Sequence, residues 1–205
     1  MLETVVFDMG NVLVHFCHER MCRQIGALCG KPAPEIRALL IDSGLQASFE
    51  RGEVSEQAFH QRLEELVQRR LEFGALQQAG SDIFELNREI VPILAGLKAA
   101  GYRLVLLSNT SVAHFEFIRR AFVVLAPFDA FVLSYEVGAM KPEPAIYEAT
   151  LRAIECRPEA AFYTDDIPQY VAAGRRHGLQ AEVFTTAAAL WEQLTLRGVC
   201  IAQPG

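Results

Sequence analysis

The pattern that most constrains this chain is a short apolar run, rich in β-branched and aromatic residues, that stops at a polar one. Thr4-Val5-Val6-Phe7 ends at Asp8, Tyr102 to Leu107 ends at Ser108-Asn109-Thr110, and Ala161 to Thr164 ends at Asp165-Asp166. Such runs read as buried strands. Phe131-Val132-Leu133 and Ala181 to Phe184 read as two more. Helical segments fall between them: Val91 to Ala100, Val112 to Ala121, Glu143 to Glu155 and Pro168 to His177, with a last helix over Ala187 to Leu196. Strands alternating with helices predict an α/β fold, a parallel sheet covered on both faces. The carboxyl ends of such strands converge on one crevice, where ligands bind. Asp8, Ser108 and Asp165-Asp166 are therefore expected to meet.

The stretch from about His18 to Ala79 has a different texture. It contains no good strand, and its apolar residues recur at helical spacing. Pro34 suits a helix start. Arg51-Gly52-Glu53 reads as a turn, and Ser55 as the N-cap of a helix running to about Arg70, with Ala58-Phe59, Leu63, Leu66 and Val67 on one face. The expected division is a core of residues 1–15 and 86–205 with an all-helical insertion at 16–85.

Composition narrows the function. A chain of 205 residues, 51% hydrophobic and 21% charged, fits one soluble domain with a small insertion. A net charge of −6 argues against a nucleic-acid partner. No apolar stretch approaches the roughly 20 residues of a membrane span, so no membrane partner is expected. The start of the chain lacks a signal-peptide pattern, and five cysteines without a CxxC pair read as reduced thiols. Both point to a cytoplasmic location. Nothing in the sequence sets an oligomeric state.

The strand-end residues suggest chemistry. A carboxylate at the end of a buried strand is costly without a partner. Asp8 reads either as a turn cap or as a nucleophile that also binds a metal. Asp165 and Asp166 are either a solvated turn or, with Asp8, an oxygen-rich site suited to Mg²⁺. Ser108 and Asn109 offer a hydroxyl and an amide. Lys141, in Gly138-Ala139-Met140-Lys141-Pro142, reads alone as a surface charge, and with the others as a point charge for phosphate.

Taken in order, these segments resemble the four motifs of the haloacid dehalogenase superfamily. Val5-Val6-Phe7-Asp8-Met9-Gly10-Asn11-Val12-Leu13 is similar to the first, Leu104 to Asn109 to the second, Lys141 to Tyr147 to the third and Ala161 to Pro168 to the fourth. The helical block between the first two is similar to the small cap of the phosphatase-rich branch. Phe49 to Ser55 resembles the cap of bacterial sugar-1-phosphate phosphatases. The resemblance implies a Rossmann-like core, Mg²⁺ as cofactor, and hydrolysis of a small phosphorylated metabolite through an aspartyl-phosphate. It implies Asp8 as nucleophile and Ser108 and Lys141 as phosphate binders. The N–H groups of Met9, Gly10 and Asn109 would face the phosphate. Asp8, Asp166 and the Gly10 carbonyl would be the metal ligands, with Asp165 acting through water or a neighbouring contact.

Two departures stand out. The family's usual acid–base aspartate, two residues after the nucleophile, is here Gly10, a loss of help typically worth about 10²–10⁴ in rate. A subset of sugar phosphatases shares the Asp-x-Gly-Asn pattern. Ile167 and Tyr170 also replace polar residues expected around the metal. Without an acid, esters with good leaving groups are favoured: anomeric sugar, acyl or aryl phosphates. His15 and His18 are candidate substitutes. Other readings are a phosphomutase, which would need the missing acid–base group; a dehalogenase, for which Asp165-Asp166 would repel the attacking carboxylate; and a catalytically weakened protein binding a phosphorylated ligand or a protein partner.

Overall fold

The computed structural model describes residues 1–202. Five strands form one parallel sheet: β1 (Thr4–Phe7), β4 (Arg103–Ser108), β5 (Ala130–Leu133), β6 (Ala161–Asp165) and β7 (Gln180–Val183), in the order β5-β4-β1-β6-β7. The three central strands are apolar on both faces because both faces are covered, as buried parallel sheets require. Val5, Phe7, Leu104, Leu106 and Phe162 pack into one core, and Val6, Val105, Leu107, Ala161 and Tyr163 into the other. This is the Rossmann-like α/β architecture expected.

The register matters more for function than the order. Phe7 pairs with Leu106 on one side and with Thr164 on the other. Asp8, Ser108 and Asp165 therefore lie within about two residues of one another along the sheet.

The crossover helices are α6 (Val91–Ala99), α7 (Val112–Ala121), α9 (Pro144–Ala153) and α10 (Pro168–Arg176), and α11 (Ala187–Thr195) follows the last strand. Their starts are set by sequence. Ser111 accepts the His114 N–H at 3.3 Å and Thr186 the Ala189 N–H at 3.1 Å, while Pro144 and Pro168 occupy first turns, where no N–H donor is needed.

Between β1 and β4 the chain forms α1 (His18–Cys29), α2 (Ala33–Arg37), α3 (Leu45–Glu50), α4 (Glu56–Val67) and α5 (Phe73–Ser81). Ser55 caps α4 through the Ala58 N–H at 3.2 Å. Two short strands flank this block, β2 (Val14–Phe16) and β3 (Phe84–Leu86), and pair antiparallel. The sequence reading missed both, and also α8 (Ser134–Val137). Three-residue strands carry too little alternation to register as a pattern.

All five cysteines are free. No helix among the described residues is long and apolar enough to cross a membrane.

Candidate active site

β1 lies between β4 and β6, so Asp8 is flanked by Ser108 on one side and by Asp165 and Asp166 on the other. The Asp8 N–H donates to the Thr164 carbonyl at 3.0 Å, carrying the ladder one residue beyond the strand. The chain then turns sharply. Leu13 and Val14 both donate to the Met9 carbonyl, and Asn11 donates to the Val14 carbonyl at 2.7 Å. Asn11 takes a left-handed conformation (φ 54°), which asparagine tolerates better than most residues. That turn aims its amide at Asp166, with Nδ2 donating to Oδ2 at 2.9 Å.

Lys141 arrives from the loop between α8 and α9. Its Nζ donates to Asp8 Oδ1 at 2.7 Å, to Asp165 Oδ2 at 2.6 Å and to the Leu107 carbonyl at 3.3 Å. All three donor directions of the ammonium are used. Asn109 fixes the loop, accepting the Lys141 N–H at 2.8 Å and donating to its carbonyl at 3.1 Å. The Tyr170 ring centroid lies 5.0 Å from Nζ, a cation–π contact. Tyr170, expected only as a lost polar group, thus faces the central cation.

Asp165 is fully buried. Its Oδ2 accepts the Tyr163 hydroxyl as well as Lys141, and its Oδ1 accepts the Ile167 N–H at 2.8 Å. Burial first, and then the charge of Asp165, push the Tyr163 hydroxyl well above its ordinary range. It therefore stays a donor. Tyr163 was missed in the sequence, although the period of a strand puts it on the same face as Asp165, two residues on.

The electrostatics follow from burial. Asp8 is nearly inaccessible, and burial pushes its carboxyl up; the Lys141 cation pulls it back and Asp165 adds to the rise. Burial alone would lower the Lys141 ammonium, but the two carboxylates hold it above its usual range. One ammonium thus serves two acids. Asp8, Asp165 and Asp166 each bring a carboxylate oxygen within 4.8 Å of the others. Three carboxylates against one ammonium leave two negative charges. An all-oxygen donor set with that deficit suits a divalent hard cation.

Of these groups all but the fully buried Asp165 line one cavity of ≈ 210 Å³. Asp8, Ser108, Lys141 and Asp166 lie on it, as do Met9, Gly10 and Asn109. The Ser108 hydroxyl makes only a long 3.4 Å contact with the Asn109 carbonyl. Among the described residues, the N–H groups of Gly10 and Asn109 meet no protein acceptor. The helical block and its flanking strands supply Phe16, His18, Glu50 and Phe84. Of these, sequence reasoning singled out only His18.

Gly10 is not merely bare. A side chain begun there would have its Cβ 3.0 Å from Cε1 of Phe16, so an aromatic ring covers the place of the expected acid. His15 is exposed on β2 opposite Glu85 and is absent from the cavity lining; strand alternation turns it away, so it is not a candidate substitute acid. His18 does line the cavity, and burial, with Arg37 assisting, lowers its ring below the ordinary histidine value.

The architecture and the motifs that carry these groups define the class. The family model described as haloacid dehalogenase-like hydrolase matches residues 2–178, and the chain belongs to that family. It is 25% identical over 187 residues to the D-ribitol-5-phosphate phosphatase of Bacteroides thetaiotaomicron, covering 88% of this chain and 90% of that one. Two solved structures share the fold. A structure described as that of a predicted HAD-like family hydrolase from Porphyromonas gingivalis superposes with a TM-score of 0.81 at 25% identity, over 95% of this chain and 98% of that one. A HAD family enzyme from Bacteroides thetaiotaomicron, in complex with magnesium and inorganic phosphate, superposes with a TM-score of 0.80 at 21% identity, over 95% and 99%.

Proposed function

We propose that this hydrolase is a Mg²⁺-dependent phosphatase acting on a small phosphorylated metabolite, a sugar or polyol phosphate, through an aspartyl-phosphate on Asp8. The observation that carries the reading is the shared ammonium: Lys141 holds Asp8 and Asp165 at 2.7 and 2.6 Å, beside Asp166. That arrangement suits a divalent cation and offers a nucleophilic carboxylate next to it. The phosphatase relative and the magnesium–phosphate complex of a structural neighbour support the same chemistry.

Asp8, Asp166 and the Gly10 carbonyl would hold the cation. The turn's own hydrogen bonds go to Met9 and Val14 and leave that carbonyl out. Asp165, committed to Tyr163, Lys141 and Ile167, would act at one remove, by positioning Lys141. Bound Mg²⁺ would neutralise the phosphate and polarise its oxygens.

The Asp8 carboxylate attacks phosphorus, the ester P–O bond breaks, and the leaving oxygen departs as an alkoxide that takes a proton from water. Water then cleaves the aspartyl-phosphate and regenerates Asp8. Ser108 and the N–H groups of Met9, Gly10 and Asn109 hold the phosphoryl oxygens, and Lys141 joins them by giving up its 3.3 Å contact with the Leu107 carbonyl; together they are placed to stabilise the charge on those oxygens. Because Phe16 stands over Gly10, no side chain there donates to the leaving oxygen. Esters whose leaving group needs little protonation are the better substrates. Residues 16–85 would act as a cap that supplies the contacts to the rest of the substrate.

A second reading has one specific support. The covered Gly10 also fits a protein that binds a phosphorylated ligand and turns it over little. A screen of sugar, acyl and aryl phosphates with and without Mg²⁺ decides between them. Metal-dependent release of phosphate supports the phosphatase; binding of esters with no release supports the binder.

A further inference from the structure

Glu50, the last residue of α3, lines the same cavity as Asp8 and Lys141. Its position is fixed from the core. The Ser134 hydroxyl donates to its backbone carbonyl at 2.5 Å, and the next residue, Arg51, is clamped by both oxygens of Glu143 at 2.8 and 2.6 Å. Its side chain has one protein partner, the amide of buried Gln46, which donates to Oε1 at 2.8 Å. Among the described residues no cation pairs with it, since Arg51 turns instead to Glu143 and Glu53. Drawing a carboxyl from water without a cation is costly, and burial pushes this one up. A folded chain gains nothing from such a group unless something in the cavity meets it.

The other cavity wall says what that is. Phe16 and Phe84 lie with ring centroids 6.4 Å apart and line it together. A wall of two aromatic rings with one hydrogen-bond-accepting carboxyl matches a polyol or sugar, whose C–H groups pack on rings while its hydroxyls donate. It does not match a substrate with a second anionic group, which would face Glu50.

Resting on the phosphatase reading for where the phosphate sits, we propose that Glu50 is a specificity-determining residue. It accepts a hydroxyl from the polyol or sugar part of the substrate, and it rejects phosphate esters that carry a second carboxylate or phosphate.

The test is a selectivity ratio. With the full chain and Mg²⁺, kcat/KM is measured for ribitol 5-phosphate and for phosphoglycolate, in the wild type and in Glu50→Gln. The ratio should favour the polyol ester in the wild type and fall about tenfold or more in the variant, the scale of one hydrogen bond to a charged group. Glu50→Asp, which keeps the charge but shortens the reach, should still reject phosphoglycolate while losing KM for the polyol ester. It also serves if Glu50→Gln does not fold. A ratio unchanged in both variants, with both esters slowed alike, would overturn the proposal and leave Glu50 a structural residue. Failure of the phosphatase reading would look different, as no Asp8-dependent release of phosphate from any ester. The same ratio is then read from thermal stabilisation of the chain by the two esters, with the same two outcomes.

Discussion

Removing the Lys141 ammonium would leave Asp8 and Asp165 facing each other in the interior with no cation between them. Breaking a buried ion pair by deleting one partner costs about 3–5 kcal/mol. Lys141→Met should lose stability on that scale in urea denaturation, and Lys141→Arg should not restore it, because a planar fork cannot replace a point charge between two oxygens. A Lys141→Met variant as stable as the wild type would show that the pair is not charged. At Gly10 the opposite experiment applies. Gly10→Asp puts a Cβ 3.0 Å from Phe16, a residue that is 38% exposed and can be moved or removed. The double variant Gly10→Asp, Phe16→Ala should raise kcat for alkyl phosphates on the order of 10²-fold and change aryl phosphates far less. An equal change in both would mean that leaving-group protonation does not limit the reaction.

The elements differ in how plainly their sequences announce them. β1, β4 and β6 were legible because buried parallel strands are uninterrupted apolar runs, and their ends were legible because Asp8, Ser108 and Asp165 break those runs. β2 and β3 were not, since three residues show no period and Phe16 and Phe84 could equally belong to a loop or a helix end. The turn from α3 to α4 is legible in Arg51-Gly52-Glu53 as a turn but not as a contact. It rests on the core through Arg51–Glu143 and through Gly52, which has φ 80° and where a Cβ would stand 2.3 Å from the Tyr135 carbonyl oxygen. Only glycine fits so close an approach. Gly52→Ala should loosen this turn, raising KM for polyol phosphates and speeding amide exchange of α3 while the sheet stays protected. Unchanged exchange at α3 would show that the turn is not held there.

At the scale of the whole molecule, the helical block and the core are joined by a buried titratable group. His114 on α7 bonds through Nε2 to the Gly80 carbonyl of α5 at 3.1 Å, and burial lowers its ring to about 4. A folded value below the unfolded one of about 6.5 gives stability that is complete above pH 6.5 and lost as pH falls toward 4. Between pH 7 and 5 the wild type should lose about 2 kcal/mol more than His114→Phe, read as the difference in their urea curves; identical losses would show that His114 is not the group responsible. Sequence could not show this, because a histidine's burial depends on what packs over it from another segment. The same limit hid Glu50, Tyr163 and Phe16. Their roles come from neighbours distant in the chain, whereas Asp8, Ser108, Lys141 and Asp166 stood out through motif order.

Asp8 is the residue on which the proposed chemistry turns. Wild-type and Asp8→Asn chains are mixed with a sugar phosphate and Mg²⁺, quenched in acid within one turnover, and examined by peptide mass spectrometry while released phosphate is counted. The phosphoryl group should be found on Asp8 in the wild type, and phosphate release should fall on the order of 10³-fold or more in Asp8→Asn. Hydrolysis that survives the substitution, or a phosphoryl group on any other residue, would contradict the account.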